Sequence, residues 1–158
     1  MGIFAGNSIY NDGGAGGGGG DLGSYVDVSS DFVVNTSVVT VDKLEAVYNE
    51  KLKILFLNVR AQFVTVIPVV SSNRDLILTL PPGLEFTEIF QFNGTPFDSI
   101  GDISSGSVFR ILNTESGNAY NTGTRPMLTD KIWFGARTGS ESAIGKFEVS
   151  AVLHVEKT

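Results

Sequence analysis

Hydrophobic positions from Tyr25 onward fall into short runs that are rich in β-branched and aromatic residues and are separated by turn-forming residues. Such runs predict strands, and none of them has the 3.6-residue period of an amphipathic helix. Turns between them are predicted at Pro81-Pro82-Gly83, at Asn93-Gly94 and within residues 115–118 and 137–145. The predicted strands lie in DFVVNTSVVTVD, LKILFLNVRAQFVTVIPVV, DLILTL, FTEIFQF, SVFRIL, MLTDKIWFGA and GKFEVSAVLHVEK.

The last of these runs has the clearest alternation. Its odd-numbered positions from Phe147 to Val155 are apolar, and its even-numbered positions are polar apart from Val152. This period of two is typical of a strand with one buried and one solvated face. The segment LKILFLNV, residues 52–59, is apolar on both faces, so we place it centrally in a sheet or at a subunit contact. About eight strands at this spacing predict an all-β fold, an antiparallel two-sheet β-sandwich of the jelly-roll type.

The segment before Tyr25 is dominated by glycine, since ten of the 19 glycines lie within residues 1–23. Glycine loses more backbone entropy on ordering than any other residue, so an ordered arm requires a partner. We therefore divide the chain into a Gly-rich arm, residues 1–24, and a β-sandwich head domain, residues 25–158. The arm is interpreted as an anchor in a partner's groove or as a flexible tether. Its assembly residues are Gly13, Gly14, Gly16, Gly17, Gly18, Gly19 and Gly20.

Charge and composition limit the partners. The net charge is −6, and residues 1–42 hold five aspartates without a lysine or arginine, while the rest of the chain is nearly neutral. No basic face for nucleic acid is predicted. The opening MGIFAGNS has no basic segment, so we expect no signal peptide. The apolar runs are shorter than the roughly 20 residues of a membrane span, so we expect no membrane insertion.

Residue types that support catalysis are scarce. The chain has no cysteine, and its single histidine, His154, is too little for a cupin-type metal site or a recognisable Ser-His-Asp triad. The stretch GAGGGG fits the dinucleotide pattern in spacing but lacks the flanking strand and helix. The carboxylate pairs Glu85/Glu88 and Asp98/Asp102 are typical of solvated turns and strands. We therefore predict no enzymatic activity, no cofactor and no metal.

One part of the chain gathers aromatic and planar polar residues near loops, which is the combination that saccharide recognition uses. We predict receptor or saccharide binding there. The alternative for Trp133 is packing against a neighbouring subunit. The predicted binding residues are Asn118, Tyr120, Arg125, Asp130, Trp133 and Arg137.

The order of motifs along residues 44–158 resembles the head or tip domains of tailed-phage fibre, baseplate and head-decoration proteins. The resemblance rests on Leu80-Pro81-x-Gly83, on Thr114-x-x-Gly117 and on the closing alternation from Phe147 to Val155. It implies a homotrimeric virion structural protein, made in the host cytoplasm. Its N-terminal arm would attach it to other virion proteins, and it would bind a host saccharide or surface protein. The alternative is a secreted trimeric binding module, lectin-like or like tumour necrosis factor.

Overall fold

A computed structural model describes residues 22–36, 38–65, 75–99, 108–113, 119–120, 123, 129–137 and 145–158. Within these residues, nine strands form two antiparallel sheets, and the only helical segment is a single 3-10 turn at Ser29–Asp31. The predicted all-β two-sheet sandwich is confirmed, whereas its jelly-roll character stays a prediction. The strands are β1 Tyr25–Asp27, β2 Val33–Thr36, β3 Val39–Asn49, β4 Ile54–Phe63, β5 Leu76–Thr79, β6 Leu84–Ser99, β7 Val108–Ile111, β8 Lys131–Arg137 and β9 Gly145–Lys157.

The larger sheet has five strands in the order β1-β3-β4-β9-β6. Strand β9 lies between β4 and β6, and its odd-numbered residues from Phe147 to Val155 are all buried, as the alternation predicted. Strand β4, which contains most of the two-sided apolar segment, lies between β3 and β9. The prediction of a central position for that segment is therefore confirmed.

The smaller sheet has four strands in the order β2-β5-β8-β7. The run from Asp31 to Asp42, predicted as a single strand, is divided between the two sheets, because β2 pairs with β5 whereas β3 pairs with β4. Thr36 stabilises the crossing point: its Oγ1 accepts the backbone N–H of Val39 at 3.0 Å and donates to the carbonyl of Asp75 at 2.8 Å. Strand β3 also continues to Asn49, past the end of the predicted strand.

Strand β6 corrects the predicted turn at Asn93-Gly94. The chain continues through both residues as a strand and pairs with β9 from Leu84 to Ser99. Glycine is required here because a Cβ at Gly94 would lie 1.4 Å from the carbonyl oxygen of Phe109 in β7. The glycine thus permits a close approach between the backbones of the two sheets instead of a reversal of the chain.

A cluster of four buried phenylalanines fills the space between the sheets. Phe63 and Phe147 come from the five-stranded sheet, and Phe109 and Phe134 come from the four-stranded sheet. Neighbouring ring centroids in the cluster are 5.6–6.0 Å apart, within the range of favourable aromatic pairs. This cluster joins the two sheets at the centre of the core.

The turn between β5 and β6 is confirmed. The N–H of Leu84 donates to the carbonyl of Pro81 at 3.1 Å, and Gly83 has a φ of 81°. A proline followed by a glycine of positive φ at the two central positions is the arrangement of a type II turn. The turn sends the chain from the smaller sheet into β6 of the larger one.

Candidate binding groove

A groove of about 300 Å³ lies on the outer face of the five-stranded sheet. We call it the sheet groove. Its walls come from β1, the 3-10 turn, β3, β4, β6 and β9, so residues far apart in sequence meet there. It is lined by Asp27, Ser29, Glu45, Ala46, Val47, Phe56, Leu57, Asn58, Gln91, Ser150, Ala151 and Val152.

Strand register places the outward-facing lining residues in two parallel rows. The first row runs across the sheet through five strands, with the apolar residues Val47, Phe56 and Val152 at its centre. Asp27 pairs with Val47 at one end of this row, and Gln91 pairs with Val152 at the other. The groove therefore has an apolar strip with a polar group at each end.

The second row is polar throughout. Glu45 pairs with Asn58, and Asn58 pairs with Ser150, on the strands that carry the apolar strip. Residues directly opposite each other on one face of an antiparallel pair lie roughly 4.5–5.5 Å apart. Hydrogen-bonding groups thus run alongside the apolar strip for its full width.

Phe56 is the aromatic residue of the groove. It is half-buried, and its ring centroid lies 5.8 Å from that of Tyr25, whose side chain is 53% exposed. Val152, the one residue that breaks the alternation of β9, lies beside Phe56. The break in the sequence pattern therefore marks an apolar patch beside the otherwise polar outward positions of β9.

Asp27 is fixed at its end of the groove by Ser29. Its Oδ1 accepts the Ser29 hydroxyl at 2.6 Å and the Ser29 backbone N–H at 2.9 Å. Both hydrogen bonds favour the charged form and lower the pKa of Asp27. The carboxylate is therefore ionised at neutral pH and serves as a hydrogen-bond acceptor.

Asn58 has an unsatisfied atom. Its Oδ1 is buried and has no hydrogen-bond partner within the described part of the chain. A buried acceptor without a partner costs free energy, which a ligand hydroxyl would recover if the Asn58 side chain turned to expose this atom. Among the described residues that line the groove there is no histidine, and the Ser29 hydroxyl is engaged with Asp27 and with the N–H of Ala46 at 2.8 Å. The arrangement is suited to binding a ring that carries hydroxyl groups.

The sequence-predicted binding residues lie elsewhere. Trp133 and Arg137 share the outer face of the four-stranded sheet, where Trp133 is half-buried and Arg137 is exposed. The buried Leu112 donates its N–H to the carbonyl of Trp133 at 2.8 Å. Asp130 is exposed immediately before β8. The structure therefore brings Trp133 and Arg137 together on one face.

Tyr120 lies apart from that face, because it is packed against the hydrophobic core and its N–H donates to the carbonyl of Ile111. Asn118, Arg125 and the glycines of the arm lie outside the described residues. The same is true of Thr114 and Gly117, which contribute to the phage resemblance.

Sequence reasoning missed the sheet groove and also Arg110, which lies beside Trp133 and Arg137. Two signals pointed to the groove. Asn58 is the polar residue inside an apolar run, and Val152 is the apolar residue on a polar face. Neither signal identifies a partner strand, so the groove becomes visible only with the register.

The side chain of His154 contacts two residues of the neighbouring strand β6. Its Nδ1 forms a hydrogen bond with the hydroxyl of Thr87, and its ring lies 5.7 Å from that of Phe90.

In the described ranges, no three histidine, aspartate or glutamate side chains are grouped so as to hold a metal ion. The same ranges contain no helix with the length and apolarity needed to cross a bilayer. Comparisons of the chain with protein-family models, curated proteins and solved structures find no match.

Proposed function

We propose that the chain is a non-enzymatic virion structural protein whose β-sandwich head binds a host-surface saccharide in the sheet groove. The observation that carries the binding is the apolar strip around Phe56 with a polar row beside it. A sugar ring has apolar C–H faces that pack on an aromatic ring, while its hydroxyls need planar acceptors and donors at fixed positions. Asp27, Asn58 and Gln91 supply such groups around the strip.

The virion assignment is supported by the resemblance to phage fibre and baseplate heads. Two of its elements are present as ordered structure, namely the Pro81–Leu84 turn and the alternating strand β9. The strand order adds support, because β9 lies between β4 and β6 and β8 lies between β5 and β7. This nested order is the one that a rolled-up antiparallel ribbon produces in a jelly roll.

The binding proposal is tested with a glycan array followed by calorimetric titration of the sugar that binds. Phe56→Ala is expected to weaken binding about tenfold or more, because it removes the apolar platform. The titrated sugar is an uncharged one, and Trp133→Ala is the matched control, since it removes a half-buried aromatic residue from the other sheet. Circular dichroism checks that both variants keep the fold. Loss of binding in Trp133→Ala with full binding in Phe56→Ala would place the site on the four-stranded sheet.

The virion proposal needs a separate test. Mass spectrometry of gradient-purified virus particles from the source culture is expected to detect the chain at a fixed ratio to the other structural proteins. A version lacking residues 1–21 is expected to keep its melting temperature, because glycine brings no side chain to bury, and to be absent from particles. A secreted lectin-like module would instead be found free in the medium and would bind its sugar without the arm.

A further inference from the structure

Arg110 occupies a distinctive position on the outer face of the four-stranded sheet. Strand register pairs it with Gly135, so that Trp133 and Arg137 are its two diagonal neighbours on β8. Diagonal neighbours on one face lie roughly 7–8 Å apart, which long side chains can span. Gly135 has no side chain to separate these three residues, and it is itself buried.

The guanidinium of Arg110 is incompletely satisfied. Its Nε is buried and has no hydrogen-bond partner within the described part of the chain. The pKa of Arg110 is lowered, first because burial removes water from the charged group and second because Arg137 is positively charged. An anion placed between the two arginines would supply the missing acceptor and offset the repulsion.

The neighbouring charges favour an anion as the occupant. Lys131 lies on the same face, at the start of β8. The nearby acid among the described residues, Asp75, is 3% exposed, and its Oδ2 accepts the backbone N–H of Ala136 at 3.0 Å. Asp130 is exposed beside Lys131, so the accessible described charges around Gly135 itself are the two arginines.

We propose that Arg110 and Arg137 bind the carboxylate of an acidic sugar on the outer face of the four-stranded sheet, with Trp133 beside the sugar ring. The planar fork of a guanidinium matches the two oxygens of a carboxylate, and an indole presents the apolar surface on which a sugar ring packs. This site is on the opposite sheet from the sheet groove and does not depend on it.

The test uses the complete chain, with D-glucuronate as the probe and D-glucose as the uncharged probe of the same ring. In ¹H–¹⁵N spectra of the arginine Nε groups, glucuronate is expected to shift the Arg110 signal saturably, and glucose is expected to leave it unchanged. Arg110→Gln and Arg137→Gln are each expected to weaken glucuronate binding about tenfold or more. Arg110→Lys keeps the charge without the fork and is expected to weaken binding as well.

Arg60→Gln is the control, because Arg60 lies on the other sheet and forms an ion pair with Glu148. It is expected to bind glucuronate as the wild type does. The absence of a saturable shift, or equal binding by the wild type and Arg110→Gln, would overturn the site. N-acetylglycine carries a carboxylate without a sugar ring. If it binds as tightly as glucuronate, the acidic-sugar assignment is wrong and a peptide carboxylate is favoured.

Discussion

The Cα of Gly94 in β6 faces the carbonyl oxygen of Phe109 in β7 so closely that the two sheets touch through their backbones. A methyl group at position 94 would lie 1.4 Å from that oxygen, and the atom in its way is backbone that no rotamer change can move. Gly94→Ala is therefore expected to lower the free energy of unfolding by about 3 kcal/mol or more, at the upper end of overpacking effects. Urea denaturation followed by tryptophan fluorescence measures the loss.

Asn93→Ala serves as the control for this substitution, because Asn93 is exposed on the same strand. It is expected to change the free energy of unfolding by less than about 0.5 kcal/mol. Equal stability of Gly94→Ala and the wild type would show that β6 and β7 do not approach in this way.

Asp75 is buried and accepts the backbone N–H of Ala136 in β8. Asp75→Ala leaves that buried N–H without a partner and is expected to cost about 2 kcal/mol of unfolding free energy. Asp75→Asn keeps an acceptor oxygen and is expected to lose less. Thermal unfolding measures the stability of both variants. Asp130→Ala is the control, because Asp130 is exposed and its loss shows the effect of removing a negative charge without a buried hydrogen bond.

The pKa of Asp27 is held low by the side chain and the backbone N–H of Ser29. Ser29→Ala removes the side-chain bond, so the pKa of Asp27 is expected to rise toward its ordinary range in NMR titrations of the carboxyl carbon. A carboxylate with a lowered pKa in the folded state stabilises the fold above its unfolded pKa, and this contribution is lost as the pH falls through the folded value.

The stability difference between the wild type and Ser29→Ala is thus expected to be larger at pH 7 than below the folded pKa of Asp27. The pH-dependent part is small, because an exposed carboxylate is screened by solvent. The pH-independent remainder is the lost hydrogen bond from the N–H of Ala46 to the Ser29 hydroxyl. A constant difference across this pH range would contradict the assignment.

The homotrimer stays a prediction, and the exposed apolar residues indicate where its subunits would meet. Of the aromatic residues in the predicted strand FTEIFQF, Phe86 is buried and Phe92 is packed against the core, whereas Phe90 is 43% exposed. Light scattering is expected to give three times the 16.8 kDa chain mass, and Phe90→Ser is expected to weaken the association. A stable monomer at micromolar concentration would rule the trimer out.

The sequence predicted most of the strands because burial imposes a period of two, and β9 is the clearest case. The prediction of a turn at Gly94 was wrong, because a turn and a close backbone approach both require glycine. Only the position of β7 distinguishes the two. The sequence prediction also failed for the second half of β3, where Lys43 and Glu45 interrupt the apolar pattern and form an ion pair at 2.7 Å. Local patterns carry no information on the pairing of this segment with β4 or on the position of β7.

Prediction of the sites was limited by the same cause. Trp133 and Arg137 were found because they are close together in sequence, whereas Arg110 joins them only through the pairing of β7 with β8. Phe56 and Val152 are almost a hundred positions apart and become neighbours only through the pairing of β4 with β9. A binding surface assembled across strands is therefore hidden until the register is known.

The place of β9 has a consequence for biosynthesis. Strands β4 and β6 are joined only through β9, the last of the described strands to leave the ribosome. A nascent chain that has not reached residue 145 exposes the apolar faces and the unpaired edges of both strands. Long-range pairing of this kind is slow and aggregation-prone. Folding of the larger sheet must therefore wait until β9 has been synthesised, and translation products that end before residue 145 are expected to aggregate or to need a chaperone.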